Sequence, residues 1–84
     1  MVDFVLEELR NARRKAVGVK QTVKAVQSGE AKVVFIAADA EEHVLRPLRA
    51  ALAKRPVQVY EVESMKELGK ACKIDVGAAA AAML

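Results

Sequence analysis

Hydrophobic residues recur along the first third of the chain with helical spacing. The apolar positions of the first dozen residues follow the i, i+3, i+4, i+7 pattern of an amphipathic helix. They are Val2, Val5, Leu6 and Leu9. Three valines in residues 19–26 share one face of a second predicted helix, which ends at Ser28-Gly29 because glycine commonly follows a helix C-terminus. Between these helices, residues 15–17 are predicted to be a short extended link.

The middle of the chain alternates apolar strands with polar-capped helices. The continuous apolar run 33–37 is typical of a strand covered on both faces, and residues 57–62 predict a second strand. Asp39 followed by Glu42 suggests a capping box for a third helix, which ends near residue 54 and contains Pro47 as a kink or a loosely formed first turn. A second capping box begins at Ser64 and opens a helix that buries its apolar side. The residues predicted on that side are Leu68, Ala71 and Cys72.

The last segment, 78–84, is ambiguous. Alanine has the highest helix propensity, which favours a helix, yet a run of small residues after Gly77 also suits a strand in a crowded sheet. The alternation of helices and apolar strands predicts an α/β sandwich, with helices on both faces of a sheet.

Composition limits the chain to one small domain without a membrane segment. It has 84 residues, of which 54% are hydrophobic and 4% aromatic, so the core is predicted to consist of aliphatic residues and alanine. No apolar run approaches the roughly 18 residues of a membrane helix. The single cysteine, Cys72, cannot form an internal disulfide, which fits a reducing, cytoplasmic environment.

The charge is distributed unevenly. The net charge is +3, and residues 10–32 contain seven basic side chains but one acid, Glu30. A one-sided basic segment of this kind is typical of a protein that binds polyanions.

The segment 18–24 offers the clearest candidate site. At the start of a helix, Lys20, Gln21 and Lys24 occupy neighbouring surface positions, since residues three and four apart meet on a helix. The first N–H groups of such a helix attract phosphate, so cations, an amide and a helix N-terminus would suit a nucleic acid base edge with its phosphates. The alternative is a solvated helix face with no specific role.

A second candidate site is the connection Ile74-Asp75-Val76-Gly77-Ala78, which is more apolar than an ordinary surface loop. It predicts either a tight turn that enters the core or an exposed cap for an unstacked nucleotide. Catalytic signals are weak. His43 is the only histidine, and Cys72 has nearby lysines but lies on a predicted inward face. No nucleotide-binding glycine motif, metal-ligand set or cofactor site is evident.

Four ordered blocks give the chain a resemblance to a known family. They are Gly18-Val19-Lys20-Gln21-Thr22-Val23-Lys24, Val34-Phe35-Ile36-Ala37-Ala38-Asp39, Glu67-Leu68-Gly69-Lys70-Ala71-Cys72 and Val76-Gly77-Ala78-Ala79-Ala80. On these blocks the chain resembles the kink-turn RNA-binding ribosomal proteins of the archaeal and eukaryotic large subunit, with small bacterial members of the YbxF type. The resemblance implies a three-layer α/β/α sandwich around a four-stranded mixed sheet, in which the alanine tail is a strand.

The resemblance also implies specific contacts with a kink-turn, an RNA bend with tandem sheared G·A pairs beside a bulge. Lys20, Gln21 and Lys24 would contact the G·A pairs, and the backbone of Gly18 and Val19 would approach phosphates. The segment 74–78 would cover the bulged nucleotide, and Asp39 would lie near it. Archaeal members commonly have Asn-Glu in place of Lys20-Gln21, and proline in place of Gly77.

These features lead to one principal hypothesis and two alternatives. The principal one is a non-enzymatic, monomeric protein that stabilises kink-turns in ribosomal or regulatory RNA, either on the ribosome or on a structured mRNA element. The first alternative is a small α/β interaction or regulatory module whose basic segment docks an acidic partner. The second is a small-ligand or thiol-based enzyme that uses Cys72.

Overall fold

The computed structural model describes residues 2–84, with side chains from residue 5 onward. The predicted apolar position of Val2 therefore lies outside the described side chains. Helices and strands alternate along the chain, as the sequence predicts. They are α1 (Val2–Asn11), β1 (Lys15–Val17), α2 (Val19–Ser28), β2 (Val33–Ala37), α3 (Glu42–Lys54), β3 (Gln58–Val62), α4 (Met65–Ala71) and β4 (Ala80–Met83).

The four strands form one mixed sheet in the order β1-β4-β2-β3. The strand β4 pairs antiparallel with both β1 and β2, whereas β2 and β3 are parallel. The segment 15–17, predicted as an extended link, is thus a paired edge strand.

Helices cover both faces of this sheet. Along β2, Phe35 and Ala37 pack with α1 and α4, while Val34 and Ile36 pack with α2 and α3. This alternation follows from the two-residue period of a strand, and it divides the core into two layers. The predicted three-layer α/β/α sandwich is confirmed.

The alanine run is a strand despite its helix propensity. Ala80, Ala81 and Ala82 are all fully buried, because β4 lies between two strands and beneath helices on both faces. Small side chains fit this crowded position, so tertiary packing overrides the intrinsic preference.

The two predicted capping boxes have different outcomes. Ser64 caps α4, since its Oγ accepts a hydrogen bond from the Glu67 N–H at 3.1 Å. The box predicted from Asp39 is wrong, because α3 begins at Glu42 after Glu41, without a side-chain cap. Asp39 lies within the turn over residues 38–40 and does not occupy the N-cap position of the helix. Pro47 does not end α3, which is continuous through it.

Candidate functional site

Three chain segments meet at one end of the sheet. Gly18 follows β1, the turn 38–40 follows β2, and residues 74–79 lead into β4. The Gly18 N–H donates to the Ala80 carbonyl at 2.8 Å, and the Ala37 N–H donates to the Ala79 carbonyl at 2.9 Å. The start of β4 therefore joins the other two segments, and both candidate sites of the sequence lie at this end.

The N-terminus of α2 begins at a glycine with an unusual backbone conformation. Gly18 has φ 97° and ψ 156°, and no side chain caps the helix. The Gly18 carbonyl accepts hydrogen bonds from the N–H of Thr22 at 2.9 Å and from its Oγ1 at 2.7 Å. The next three N–H groups have no acceptor among the described residues, and the first turn contains no acid. This helix end is consequently open to an anion.

The predicted polar face of α2 is exposed. Thr22, Ala25 and Val26 are buried and fix the rotation of the helix against α3 and the sheet. Lys20, Gln21 and Lys24 are exposed on the other side, as the spacing predicts. Lys24 borders two shallow grooves, one shared with Lys20 and the other with Gln21. The three side chains therefore present one continuous surface beside the helix N-terminus.

The segment from Lys73 to Ala79, here called the 73–79 loop, is anchored to α4 at both ends. The Ile74 N–H donates to the Gly69 carbonyl at 3.1 Å, and the Ala78 N–H donates to the Met65 carbonyl at 3.0 Å. Ala78 enters the core, whereas the side chain of Val76 is 70% exposed at the tip. The loop thus combines both sequence interpretations: its end is tucked in, and its centre is an exposed apolar surface.

Asp39 has a hydrogen-bond partner on another element. Its Oδ1 accepts a hydrogen bond of 2.8 Å from the N–H of Met65, which is the first residue of α4. The side chain that fails to cap α3 therefore caps α4, across 26 residues of sequence. A carboxylate at a helix N-terminus is electrostatically favourable.

Sequence reasoning missed three residues that shape this end of the molecule. Thr22 fixes the Gly18 carbonyl, Met65 fixes the 73–79 loop, and Gly69 lies directly beneath that loop. A Cβ built on Gly69 would come within 2.1 Å of the Val76 carbonyl oxygen. The role of Thr22 could have been inferred from its place four residues after a glycine at a helix start. The roles of Met65 and Gly69 depend on tertiary packing alone.

The residues considered for catalysis do not form a site. Cys72 is buried, and this desolvation raises the pKa of its thiol, while Lys15 acts in the opposite direction with a smaller effect. His43 is exposed on α3. Among the described residues, no group of three histidine, cysteine or acidic side chains could hold a metal ion.

Comparison with known proteins shows which family the chain is related to. Residues 2–84 match the model of the Ribosomal protein L7Ae/L30e/S12e/Gadd45 family. The chain belongs to this family. Its membership confirms the resemblance seen in the sequence, and it confirms the prediction of a protein that is not an enzyme.

Several known proteins resemble the chain over most of its length. RNA-binding protein YbxF of Geobacillus stearothermophilus is 46% identical over 78 residues, covering 93% of this chain and 95% of that protein. Large ribosomal subunit protein eL8 of Halobacterium salinarum is 36% identical over 80 residues, covering 94% and 67%. The solved structure of the Giardia lamblia 15.5kD RNA binding protein superposes with a TM-score of 0.81 at 26% identity, covering 94% of this chain and 67% of that chain.

In the described part of the chain, no helix has the length and apolar character needed to cross a membrane.

Proposed function

We propose that the protein binds RNA and recognises kink-turns through the end of the sheet where Gly18, the turn after β2 and the 73–79 loop meet. The observation that carries the proposal is the uncapped N-terminus of α2, with Lys20, Gln21 and Lys24 exposed beside it. Family membership and the names of the relatives support RNA as the ligand.

The α2 side of this surface suits the G·A pairs and their phosphates. The free N–H groups after Gly18, including that of Val19, donate to phosphate oxygens, and Lys20 and Lys24 add positive charge. Gln21 offers both an amide donor and a carbonyl acceptor to base edges. Because its side chain is uncharged, Gln21 makes neutral hydrogen bonds, which are weaker than charge-assisted ones.

The 73–79 loop suits the bulged nucleotide. Within it, Ile74 and Val76 provide apolar contact area, Gly77 is exposed next to Val76, and Ala78 closes the loop onto the core. Asp75 is exposed beside them and can accept a hydrogen bond from a base amino group.

The mechanism is selection of one RNA shape. A kink-turn is one conformer among several for free RNA, and a protein that binds the bent form shifts the population toward it. Phosphate contacts from lysines supply affinity that falls with salt, whereas base contacts supply specificity.

The proposal also covers the setting of this activity. We propose that residues 1–84 act as one domain and as a monomer, in the cytoplasm, on a kink-turn of ribosomal RNA or of a structured mRNA element. The single cysteine is buried and free, which suits a reducing compartment.

The test is a calorimetric titration at fixed salt with two RNAs. One is a standard kink-turn, and the other replaces its sheared G·A pairs with Watson–Crick pairs. We expect strong preference for the kink-turn. Equal, weak and salt-sensitive binding to both RNAs would contradict the proposal and favour an interaction module that docks an acidic partner.

One α2 double variant and one α3 control make the test residue-specific. The double change Gln21→Ala and Lys24→Ala is expected to weaken kink-turn binding by about 10- to 100-fold, because each good base or phosphate contact contributes roughly 1 kcal/mol or more. Both side chains are exposed, so the fold should be unchanged by circular dichroism. Lys54→Ala, which also removes one exposed cation but lies at the other end of α3, is the matched control. Unchanged binding by the double variant would refute the assignment of this face.

A further inference from the structure

A continuous set of contacts runs from the end of β2 to the 73–79 loop by way of α4. It begins at Asp39, whose carboxylate accepts a hydrogen bond from the Met65 N–H at 2.8 Å. A second N–H in the first turn of α4 is also engaged, because Ser64 Oγ accepts a hydrogen bond from the Glu67 N–H at 3.1 Å. The first turn of α4 is therefore fixed by side chains from two different places in the sequence.

The backbone of Met65 in turn contacts the 73–79 loop. Its carbonyl accepts a hydrogen bond from the Ala78 N–H at 3.0 Å. Gly77 lies directly against the same residue, since a Cβ built on Gly77 would be 3.1 Å from Met65 Cβ and 3.3 Å from its carbonyl carbon. The C-terminal half of the loop thus rests on the residue that Asp39 caps.

The other half of the loop rests on Gly69. The Gly69 carbonyl accepts a hydrogen bond from the Ile74 N–H at 3.1 Å, and a Cβ on residue 69 would clash with the Val76 carbonyl oxygen. The loop consequently has two backbone supports on α4 and one exposed tip. Because Gly77 leaves the loop backbone intrinsically free, its shape depends on these supports.

We propose that Asp39 is a positioning residue, which acts through Met65 to hold the 73–79 loop in the conformation that receives the bulged nucleotide. This inference rests on the proposed function. It assigns Asp39 an indirect role because one of its carboxylate oxygens already accepts a hydrogen bond from the Met65 N–H.

The experiment is a cycle of two proteins and two RNAs at fixed salt. Wild type and Asp39→Ala are titrated against an intact kink-turn and against the same RNA with an abasic bulged nucleotide. We expect Asp39→Ala to weaken binding to the intact RNA about fivefold, the factor for one net hydrogen bond, and to leave binding to the abasic RNA unchanged. Asp39→Asn, which keeps an acceptor oxygen, should restore binding to the intact RNA.

Two controls separate this role from lost charge or lost stability. Glu63→Ala removes a neighbouring exposed acid that has no side-chain hydrogen bond among the described residues, and it should bind both RNAs like wild type or slightly better. In the free protein, Asp39→Ala should increase amide exchange at Ala78 while the β2 amides stay protected.

The outcomes distinguish the inference from the function beneath it. Equal weakening on both RNAs by Asp39→Ala, or unchanged exchange at Ala78, would overturn the positioning role. A wild-type protein that prefers the kink-turn but ignores the missing base would also overturn it, while the proposed function would stand. A wild-type protein that shows no preference for the RNA with sheared G·A pairs would instead contradict the proposed function itself.

Discussion

Replacing Gly18 by alanine should destabilise the protein through backbone conformation alone. The φ of 97° and ψ of 156° lie in a region that residues with side chains adopt only at a cost of about 1–3 kcal/mol. Space is not the reason, because a Cβ built on Gly18 meets no atom within 4 Å. The expected effect therefore does not depend on the size of the new side chain.

The magnitude follows from the hydrogen bonds on either side of Gly18. Its N–H bonds Ala80 and its carbonyl accepts two bonds from Thr22, so rotation to negative φ would break contacts worth about 0.5–1.5 kcal/mol each. Alanine also restricts the unfolded chain, which returns about 0.4–1 kcal/mol of stability. Subtracted from the middle of the strain range, about 2 kcal/mol, this leaves a net loss of about 1–2 kcal/mol, or a fall in Tm of about 4–16 °C for a domain of this size.

The assay is urea unfolding followed by far-UV circular dichroism, on Gly18→Ala, Gly18→Ser and Gly18→Leu. All three variants should lose the same free energy of unfolding within about 0.5 kcal/mol, with an unchanged m value. A loss that rises with side-chain volume would show that packing, and not φ, decides this position. A loss below about 0.5 kcal/mol for alanine would refute the strain argument.

Four further predictions address the core and the surface. Thr22→Val should lower the free energy of unfolding by about 1 kcal/mol, since it removes the buried hydroxyl bond at the start of α2, whereas Thr22→Ser should keep that bond; urea unfolding compares them. Ala81→Leu should destabilise by about 1–3 kcal/mol or more through overpacking of the central strand, measured as a fall in Tm. Cys72 should react with a thiol reagent far more slowly in the native protein than in urea, because burial shields the thiol and raises its pKa. The hydrogen bond from Arg49 lowers the pKa of Glu42 below its usual 4.5, so this contact stabilises the folded protein above that pH and the stabilisation is lost as pH falls. The free energies of unfolding of Glu42→Gln and wild type should therefore converge as the pH is lowered, measured by unfolding at a series of acid pH values.

Much of the fold could be predicted because apolar spacing reports local structure directly. The run that became β2 is continuous and apolar, β3 contains the strand-favouring residues Val59, Tyr60 and Val62, and the valines of α2 recur with helical period. The alanine run was different, because its residues have no β preference of their own. Its place between β1 and β2 depends on contacts with distant segments, so only the family resemblance predicted a strand.

The candidate site was likewise predicted only in part from the sequence. The exposure of Lys20, Gln21 and Lys24 follows from their spacing within one helix, which the sequence contains. The hydrogen bond of Asp39 joins residues 26 positions apart, and no local pattern indicates it. A nearby glutamate at the capping-box spacing instead suggested a local role, and the turn after β2 prevents that role.

The position of β4 has a consequence for how the molecule is made. The strand lies between β1 and β2, although α3, β3 and α4 separate it from both in the sequence. During synthesis, β2 and β3 can pair as soon as both have emerged, but β1 has no partner until residues 80–83 are available. The Gly18 N–H likewise finds its acceptor only on Ala80. A nascent chain that has not reached β4 thus lacks the junction at the end of the sheet, and competence for the proposed RNA binding should arise only once β4 is available to pair.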